Sequence, residues 1–338
     1  MVKIDWSNLG FAYMPTRSHI RYVWKDGAWD DGELVNEPTI TMTIAASCLH
    51  YGQACFEGLK VFRRKDGSIA AFRPDQNAER MQRTAHKMVM PSIPTEMFNA
   101  ALDRVVKDNL EYVPPYGMGA SLYVRPLLFG SGAQIGVAPA HEYTFIMMVM
   151  PMGSYYKGGI QPVKAIIFDE YDRAAPQGLG DVKAAGNYAA SLYAHEKAHA
   201  LGYPVELYLD AKSHTYVEEF ATSNFLGFKK DGTFVTVKSN SVLPSVTNLS
   251  LQQLAADMGH KVEVRQVPYA ELRDFAEIGA CGTAVVVTPV SEIHRGDDVI
   301  EIGSKTECGP FLYQLHEAMQ DIQFGRVKDT HGWCHLIA

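Results

Sequence analysis

A two-domain chain of mixed α and β structure is the fold class that this sequence predicts, and three observations predict it. Its 338 residues exceed what one hydrophobic core normally organises. Turn-punctuated β-rich runs at the start give way to amphipathic helices, an α+β order, whereas beyond residue 162 strands and helices alternate. Between these stretches, Pro151 to Pro162 is dense in helix and strand breakers. A small amino-terminal α+β domain over 1–149, an interdomain loop over 150–162 and a larger domain over 163–338, with strands packed against helices, are therefore expected.

In the first domain Lys25-Asp26-Gly27 and Lys65-Asp66-Gly67 sit between β-rich runs as hairpin turns. Pro74 suits a first helical turn, and the segment from Asn77 to Met90 repeats apolar residues at three and four spacing before Pro91 stops it. A second amphipathic helix is expected from Glu96 to Leu110. Two strands follow, Ser121 to Phe129 and Tyr143 to Met150, joined by a glycine-rich loop. The second domain is expected to hold strands near 163–168, 204–210, 233–237, 262–267 and 284–290, and helices near 188–201, 247–258 and 310–323.

Composition narrows the function. Hydrophobic residues make up 47% and charged residues 20%, which is ordinary for a globular chain and far from the signature of disorder. With 31 basic against 38 acidic residues, the net charge of −7 exerts no general attraction on nucleic acid or anionic lipid, and neither is an expected partner. The longest apolar stretch, Tyr143 to Met152, is about half of what crosses a bilayer. The amino terminus has neither a secretory h-region nor a transit-peptide composition, so a cytoplasmic location is expected. Cys48, Cys55, Cys281, Cys308 and Cys334 have no metal-ligand spacing and are expected to be reduced thiols.

Two motifs are tested and set aside. Gly130 to Gly136 follows a strand, but its last glycine falls one residue late for a dinucleotide loop, and Val137-Ala138-Pro139 opens no helix. His195-Glu196-Lys197-Ala198-His199 is an HExxH whose histidines share a helix face and could bind zinc, with Glu196 as base. The third histidine of the longer pattern would fall on Val205, leaving Glu218 or Glu219 to complete the site. A helix that presents both histidines to solvent or polar neighbours is preferred, with a zinc hydrolase as the minor alternative and no metal expected.

Asp181-Val182-Lys183-Ala184-Ala185-Gly186-Asn187-Tyr188 sets a lysine among small residues just ahead of a helix that ends at Gly202. The positive end of a helix dipole and desolvation both favour a neutral amine, the form that a Schiff-base lysine needs. Taken alone such a lysine is an ordinary surface residue. Lys183 to Tyr188, however, resembles the KxGGNY segment of the branched-chain amino acid aminotransferases, pyridoxal phosphate enzymes of fold type IV. His50 to Gly58 resembles that family's HYGxxxFEG, and Phe72-Arg73-Pro74 opens a segment running through Glu79-Arg80-Met81. Tyr123-Val124-Arg125-Pro126 is similar to its YxRP, Leu243 to Thr247 stands where LPGxTR is usual, and Gly282 through Val290 resembles GTAxxxxPV. The motifs occur in the family's order over nearly the whole chain.

The resemblance implies a fold type IV architecture, a pyridoxal 5'-phosphate cofactor and a role for each matching residue. Lys183 is the catalytic residue, carrying the cofactor as an internal aldimine and then moving the proton between substrate and cofactor. Glu219 meets the ring nitrogen, with Glu218 beside it on the other side of a strand so that only one can serve. Arg73, the Val246 and Thr247 N–H groups and Thr283 receive the phosphate, and Tyr188 lies near the phenolic oxygen. Tyr51, Phe56, Gly58, Tyr123, Tyr155 and Tyr188 surround the substrate. Arg125 and Tyr51 receive a glutamate side-chain carboxylate, and Tyr123 with the backbone of Thr283 and Ala284 holds the α-carboxylate. The reaction implied is reversible amino transfer between L-leucine, L-isoleucine or L-valine and 2-oxoglutarate, giving glutamate and the branched 2-oxo acids. A homodimer is implied too, because in the family the loop at Tyr51 reaches the neighbouring subunit.

Departures from the family pattern are local. Ala185-Gly186 replaces GG, Ser245 and Asn248 replace the glycine and arginine of LPGxTR, and Met152 takes a place where an aromatic is frequent. Val285 and Thr288 replace the CxxC pair of mammalian members. D-amino acid transamination and aminodeoxychorismate lyase chemistry share the lysine and glutamate and stand as alternatives within the same fold type.

Overall fold

The computed structural model describes residues 4–153 and 159–338. Contacts divide the chain into two compact units, one of Met1–Tyr155, Val182–Gly186 and Asp321–Ala338, the other of Tyr156–Asp181 and Asn187–Gln320. Two segments far along the chain thus belong with the amino-terminal part, which no break in composition announces.

The first unit is built on an antiparallel sheet in the order Cys334–Leu336, Ile69–Phe72, Leu59–Arg63, Ser121–Gly130, Tyr143–Met152, His19–Lys25, Ala28–Trp29. Short strands Glu33–Val35 and Ala54–Phe56 pair with His19–Lys25 and Ser121–Gly130. The expected hairpin turn is present: Trp24 pairs with Trp29 and Lys25 with Ala28, leaving Asp26 (φ 52°) and Gly27 (φ 88°) in the left-handed region that a two-residue turn requires. Helices α1 (Pro74–Lys87) and α2 (Thr95–Asp108) supply apolar residues to the same core as the sheet, among them Ala78, Met81, Phe98 and Val105. Pro74 opens α1 as expected. The helix stops at Lys87, short of Met90, because Val89 turns to φ 54° and the Val89 N–H donates back to His86.

Side chains alternate across each strand, so one sequence serves two surfaces. Along Ser121–Gly130, Leu122, Val124 and Leu128 enter the core, while Tyr123, Arg125 and Leu127 point to the other face. Met148 and Met150 sit opposite Arg125 and Tyr123 on the neighbouring strand and share that second face.

In the second unit the hydrogen-bonded order from Ser223–Lys229 runs through Phe275–Gly282, Val286–Arg295, Val163–Ile167, Val205–Leu209 and Tyr216–Phe220 and returns to Ser223–Lys229. Among the described residues these six strands close on themselves around a core that includes Leu207, Val217, Phe220, Phe225 and Ile278. Two of the strands, Ser223–Lys229 and Phe275–Gly282, are absent from the sequence expectation. Their glycine, alanine and asparagine content hides a β pattern, and burial on both faces removes the alternation that would reveal one. Helices α3 (Ala185–Ala200), α4 (Val246–Asp257) and α5 (Pro310–Gln323) lie close to their expected ranges. The five cysteines are free, and no helix among the described residues is long and apolar enough to cross a membrane.

The start of α5 is capped from a strand: the buried Glu277 carboxylate accepts from the N–H groups of Phe311 (3.1 Å) and Leu312 (2.8 Å). A Cβ on Gly309 would collide with that carboxylate. Replacing Glu277→Ala should lower stability by about 1–2 kcal/mol, and Gly309→Ala should also destabilise by displacing the carboxylate, each read as a lower urea midpoint.

Candidate active site

In the first unit Lys183 is tied to its surroundings through its backbone. Its carbonyl accepts from the Phe56 N–H at 3.3 Å, and its own N–H donates to Thr84 Oγ1 of α1 at 3.1 Å. The next residue, Ala184, pairs with Cys55 as an isolated antiparallel bridge. The ring of Phe56 then meets both side chains, with Lys183 Nζ 4.7 Å and the Arg125 guanidinium 4.6 Å from its centroid. Arg125 also donates to the Tyr123 hydroxyl from Nη2 at 2.9 Å. Gly58 makes room for that hydroxyl, since a Cβ there would collide with it. The Tyr51 hydroxyl donates to the Ile135 carbonyl.

Arg73 precedes Pro74 with φ 49°, an uncommon conformation for a side chain of its size. It is held by its N–H donating to the Trp333 carbonyl at 2.7 Å, with the guanidinium 4.9 Å from the Trp333 ring centroid. Trp333 comes from the carboxy-terminal segment, which carried no signal in the sequence.

In the second unit Glu219 is buried and both of its carboxylate oxygens are engaged. Oε1 accepts from Arg173 Nη1 (2.9 Å) and the Leu243 N–H (3.0 Å), and Oε2 accepts from Asn224 Nδ2 (3.2 Å). Arg173, itself buried, also donates to the carbonyls of Gly180 and Ser241. Adjacent Glu218 accepts from Ser239 Oγ at 2.9 Å, and burial pushes its carboxyl above the ordinary range. Three residues after Leu243, Val246 and Thr247 open α4 behind Ser245, whose Oγ accepts from the Asn248 N–H. Asn248 turns its own side chain to Thr236 at 2.7 Å. Thr283 and Ala284 occupy the turn between strands Phe275–Gly282 and Val286–Arg295, just before Val286 at φ 65°. A β-branched residue there is strained, and such strain clusters at functional sites. Tyr188 lies in the first turns of α3. Tyr155 lies outside the described residues.

The HExxH histidines are held by other contacts. His195 and His199 are adjacent on α3, with ring centroids 4.6 Å apart, but His195 Nδ1 is hydrogen-bonded to the buried Glu206 at 3.2 Å. Among the described residues no group of three ligating side chains converges on a metal position. Among the described residues the zinc alternative finds no third ligand.

Sequence reasoning passed over several residues inside the motifs that it quoted. Glu57, fully buried, accepts from Arg80 Nε and Nη2, both at 2.7 Å, and from Asn77 Nδ2 at 2.8 Å. Burial opposes its charge, yet Arg80, Lys183 and Asn77 together hold its carboxyl below the usual carboxylate range. Lys60 pairs laterally with Tyr123, and burial pushes its ammonium down to about 7. A charged residue within an otherwise apolar run is the one signal that could have drawn attention to each.

Residues 54–293 match the amino-transferase class IV family. The chain is 47% identical over 339 residues to the branched-chain-amino-acid aminotransferase of Haemophilus influenzae, covering 98% of both chains. The chain belongs to the class IV amino-transferases. Two solved branched-chain amino acid aminotransferase structures share its fold. That of the Escherichia coli enzyme has a TM-score of 0.76 and 26% identity, covering 94% of this chain and 99% of the other. That of the T.th. enzyme complexed with N-(5'-phosphopyridoxyl)-L-glutamate has a TM-score of 0.77 and 25% identity, covering 94% of this chain and 98% of the other.

This class IV amino-transferase is a pyridoxal phosphate enzyme, and each unit by itself holds donors of the kinds that group takes. The first unit offers an amine and a guanidinium at the start of α1, and the second a doubly anchored carboxylate three residues from the N–H groups that open α4, measured along the chain from its Leu243 donor. Arg173→Met leaves Glu219 without its guanidinium and should cost about 3–5 kcal/mol, measured by urea denaturation of the enzyme.

Proposed function

We propose that the chain is a branched-chain amino acid transaminase that moves the amino group of L-leucine, L-isoleucine or L-valine to 2-oxoglutarate in two half-reactions, with Lys183 as its catalytic residue. The observation that carries this reading is the Phe56 ring against which both the Lys183 amine and the Arg125 guanidinium lie, 4.7 Å and 4.6 Å from its centroid. An apolar ring beside a guanidinium accepts a branched aliphatic side chain and, in the other half-reaction, a second carboxylate. The relatives named above, one called a branched-chain aminotransferase and another bound to a pyridoxyl-L-glutamate adduct, support both substrates.

Pyridoxal phosphate, when bound, supplies an electron sink that stabilises the charge left when Cα loses its proton. Lys183 Nζ would hold that group and, when free, would take the Cα proton as general base. Glu219 would hold the proton on the ring nitrogen, its two oxygens fixed by Arg173, the Leu243 N–H and Asn224. Arg73, Thr283 and the Val246 and Thr247 N–H groups receive the phosphate, with Tyr188 at the phenolic oxygen. Tyr123, Thr283 and Ala284 hold the α-carboxylate, Arg125 and Tyr51 receive the second carboxylate of glutamate, and Gly58 leaves space for Tyr123.

A homodimer accompanies this reading. Ile44 (88% exposed) with Leu49 and Tyr51 of the short helix Ser47–Tyr51, and Ile135 with Val137 (89%), are exposed apolar residues on two segments joined by the Ala46–Ala133 bridge, a surface suited to a second copy. We also assign the enzyme to the cytoplasm, in keeping with its five free thiols.

Two measurements test the reading. Purified enzyme should show a visible absorption band that L-leucine, and not D-leucine, discharges, and Lys183→Ala should lose both band and transamination; a Lys183→Ala variant that still transaminates would overturn it. Arg125→Met should lower kcat/KM for glutamate about a hundredfold while changing that for leucine by less than about tenfold.

A further inference from the structure

Among the described residues of the first unit, Glu57 is the one carboxylate with no solvent contact, and three observations connect it to Lys183. It directly follows Phe56, whose N–H donates to the Lys183 carbonyl and whose ring lies 4.7 Å from Lys183 Nζ. Asn77, Arg80 and Thr84, at three and four spacing, form one stripe of α1: the first two hold the Glu57 carboxylate, and the third accepts from the Lys183 N–H. Burial opposes the charge of Glu57, and Arg80 first and Lys183 after it favour the charged form of its carboxyl. Arg80 is committed to this buried negative charge by a two-point contact at 2.7 Å, and the next residue back, Phe56, is the one that meets Lys183 through both backbone and ring.

We propose that Glu57, fixed in place by Arg80 and Asn77, is a positioning residue for Lys183, the permanent counter-charge against which its nitrogen is oriented and keeps its proton. The proposal rests on the reading of Lys183 as the cofactor-bearing lysine. A rigid counter-charge suits a lysine that must be protonated at one stage and a base at another, because a carboxylate held at two points cannot follow the lysine when it swings away. Other charged or titratable groups close by among the described residues include Cys55, whose thiol is pushed up by burial and by Glu57, Arg125 at the Phe56 ring, and Tyr123, whose hydroxyl accepts from Arg125.

The test is the pH dependence of the visible absorption band of the holoenzyme, with urea stability recorded in parallel. In Glu57→Gln the midpoint should move to lower pH by about one unit or more, and Glu57→Asp should restore part of it. Asn77→Asp adds a carboxylate at the same place without changing shape and should move the midpoint to higher pH. This second variant decides the matter if Glu57→Gln fails to fold. Lowered stability with the wild-type midpoint in both variants would make the Glu57–Arg80 pair a structural clamp and overturn the proposal. A wild-type enzyme without any visible band would instead overturn the reading of Lys183.

Discussion

A carboxylate that cannot reach water must be neutralised where it lies, and in the first unit Glu57 imposes that condition on its neighbours. Arg80 meets it with two hydrogen bonds in the plane of its guanidinium, which sets the rotation of α1 against the strand Ala54–Phe56. With that rotation set, Thr84 one turn later can accept the Lys183 N–H, and the Val182–Gly186 segment is drawn into the first unit although its chain neighbours belong to the second. Removing either partner would leave a bare charge in the core, so the lysine's backbone is as firmly held as the core itself.

The second unit satisfies its buried carboxylate by other means. Glu219 is met by Arg173, by a side-chain amide and by a backbone N–H, and the backbone donor belongs to the loop that leads into α4. Anchoring the carboxylate and presenting the first N–H groups of the helix are thus one structural act. Closure of six strands gives that loop a rigid base, and the same closure removes two long edges that an open sheet would expose. Backbone strain is concentrated in a few places, notably Arg73 at φ 49°, itself assigned to the phosphate, and Val286 at φ 65°, close to the pair assigned to the α-carboxylate.

Much of this was legible in the chain. Turn residues at Asp26-Gly27, Pro74 at a helix start and the amphipathic spacing of α2 each carry a local physical signal, and the elements that they announce are present. The lysine, the paired arginine and tyrosine of Ser121–Gly130 and the glutamate of Tyr216–Phe220 were legible as ordered motifs. What escaped had no local signal. Ser223–Lys229 and Phe275–Gly282 become strands because both their faces are covered, a property of the neighbours and not of their own pattern. The helix α1 reads past Lys87 by periodicity, but a backbone reversal at Val89 ends it.

By itself the sequence determined the kinds of residue available: an amine flanked by small residues, guanidiniums at two motif positions, carboxylates on a strand, and strands whose alternation separates core from site. Tertiary structure alone decided which of them meet. Glu57 and Arg80 are 23 residues apart, Arg173 and Glu219 lie on different elements, and Trp333 reaches Arg73 from the far end of the chain. Pairing of this kind follows from burial, since a charge enclosed away from water takes whatever opposite charge or donor the fold brings within reach, and no spacing along the chain records that encounter.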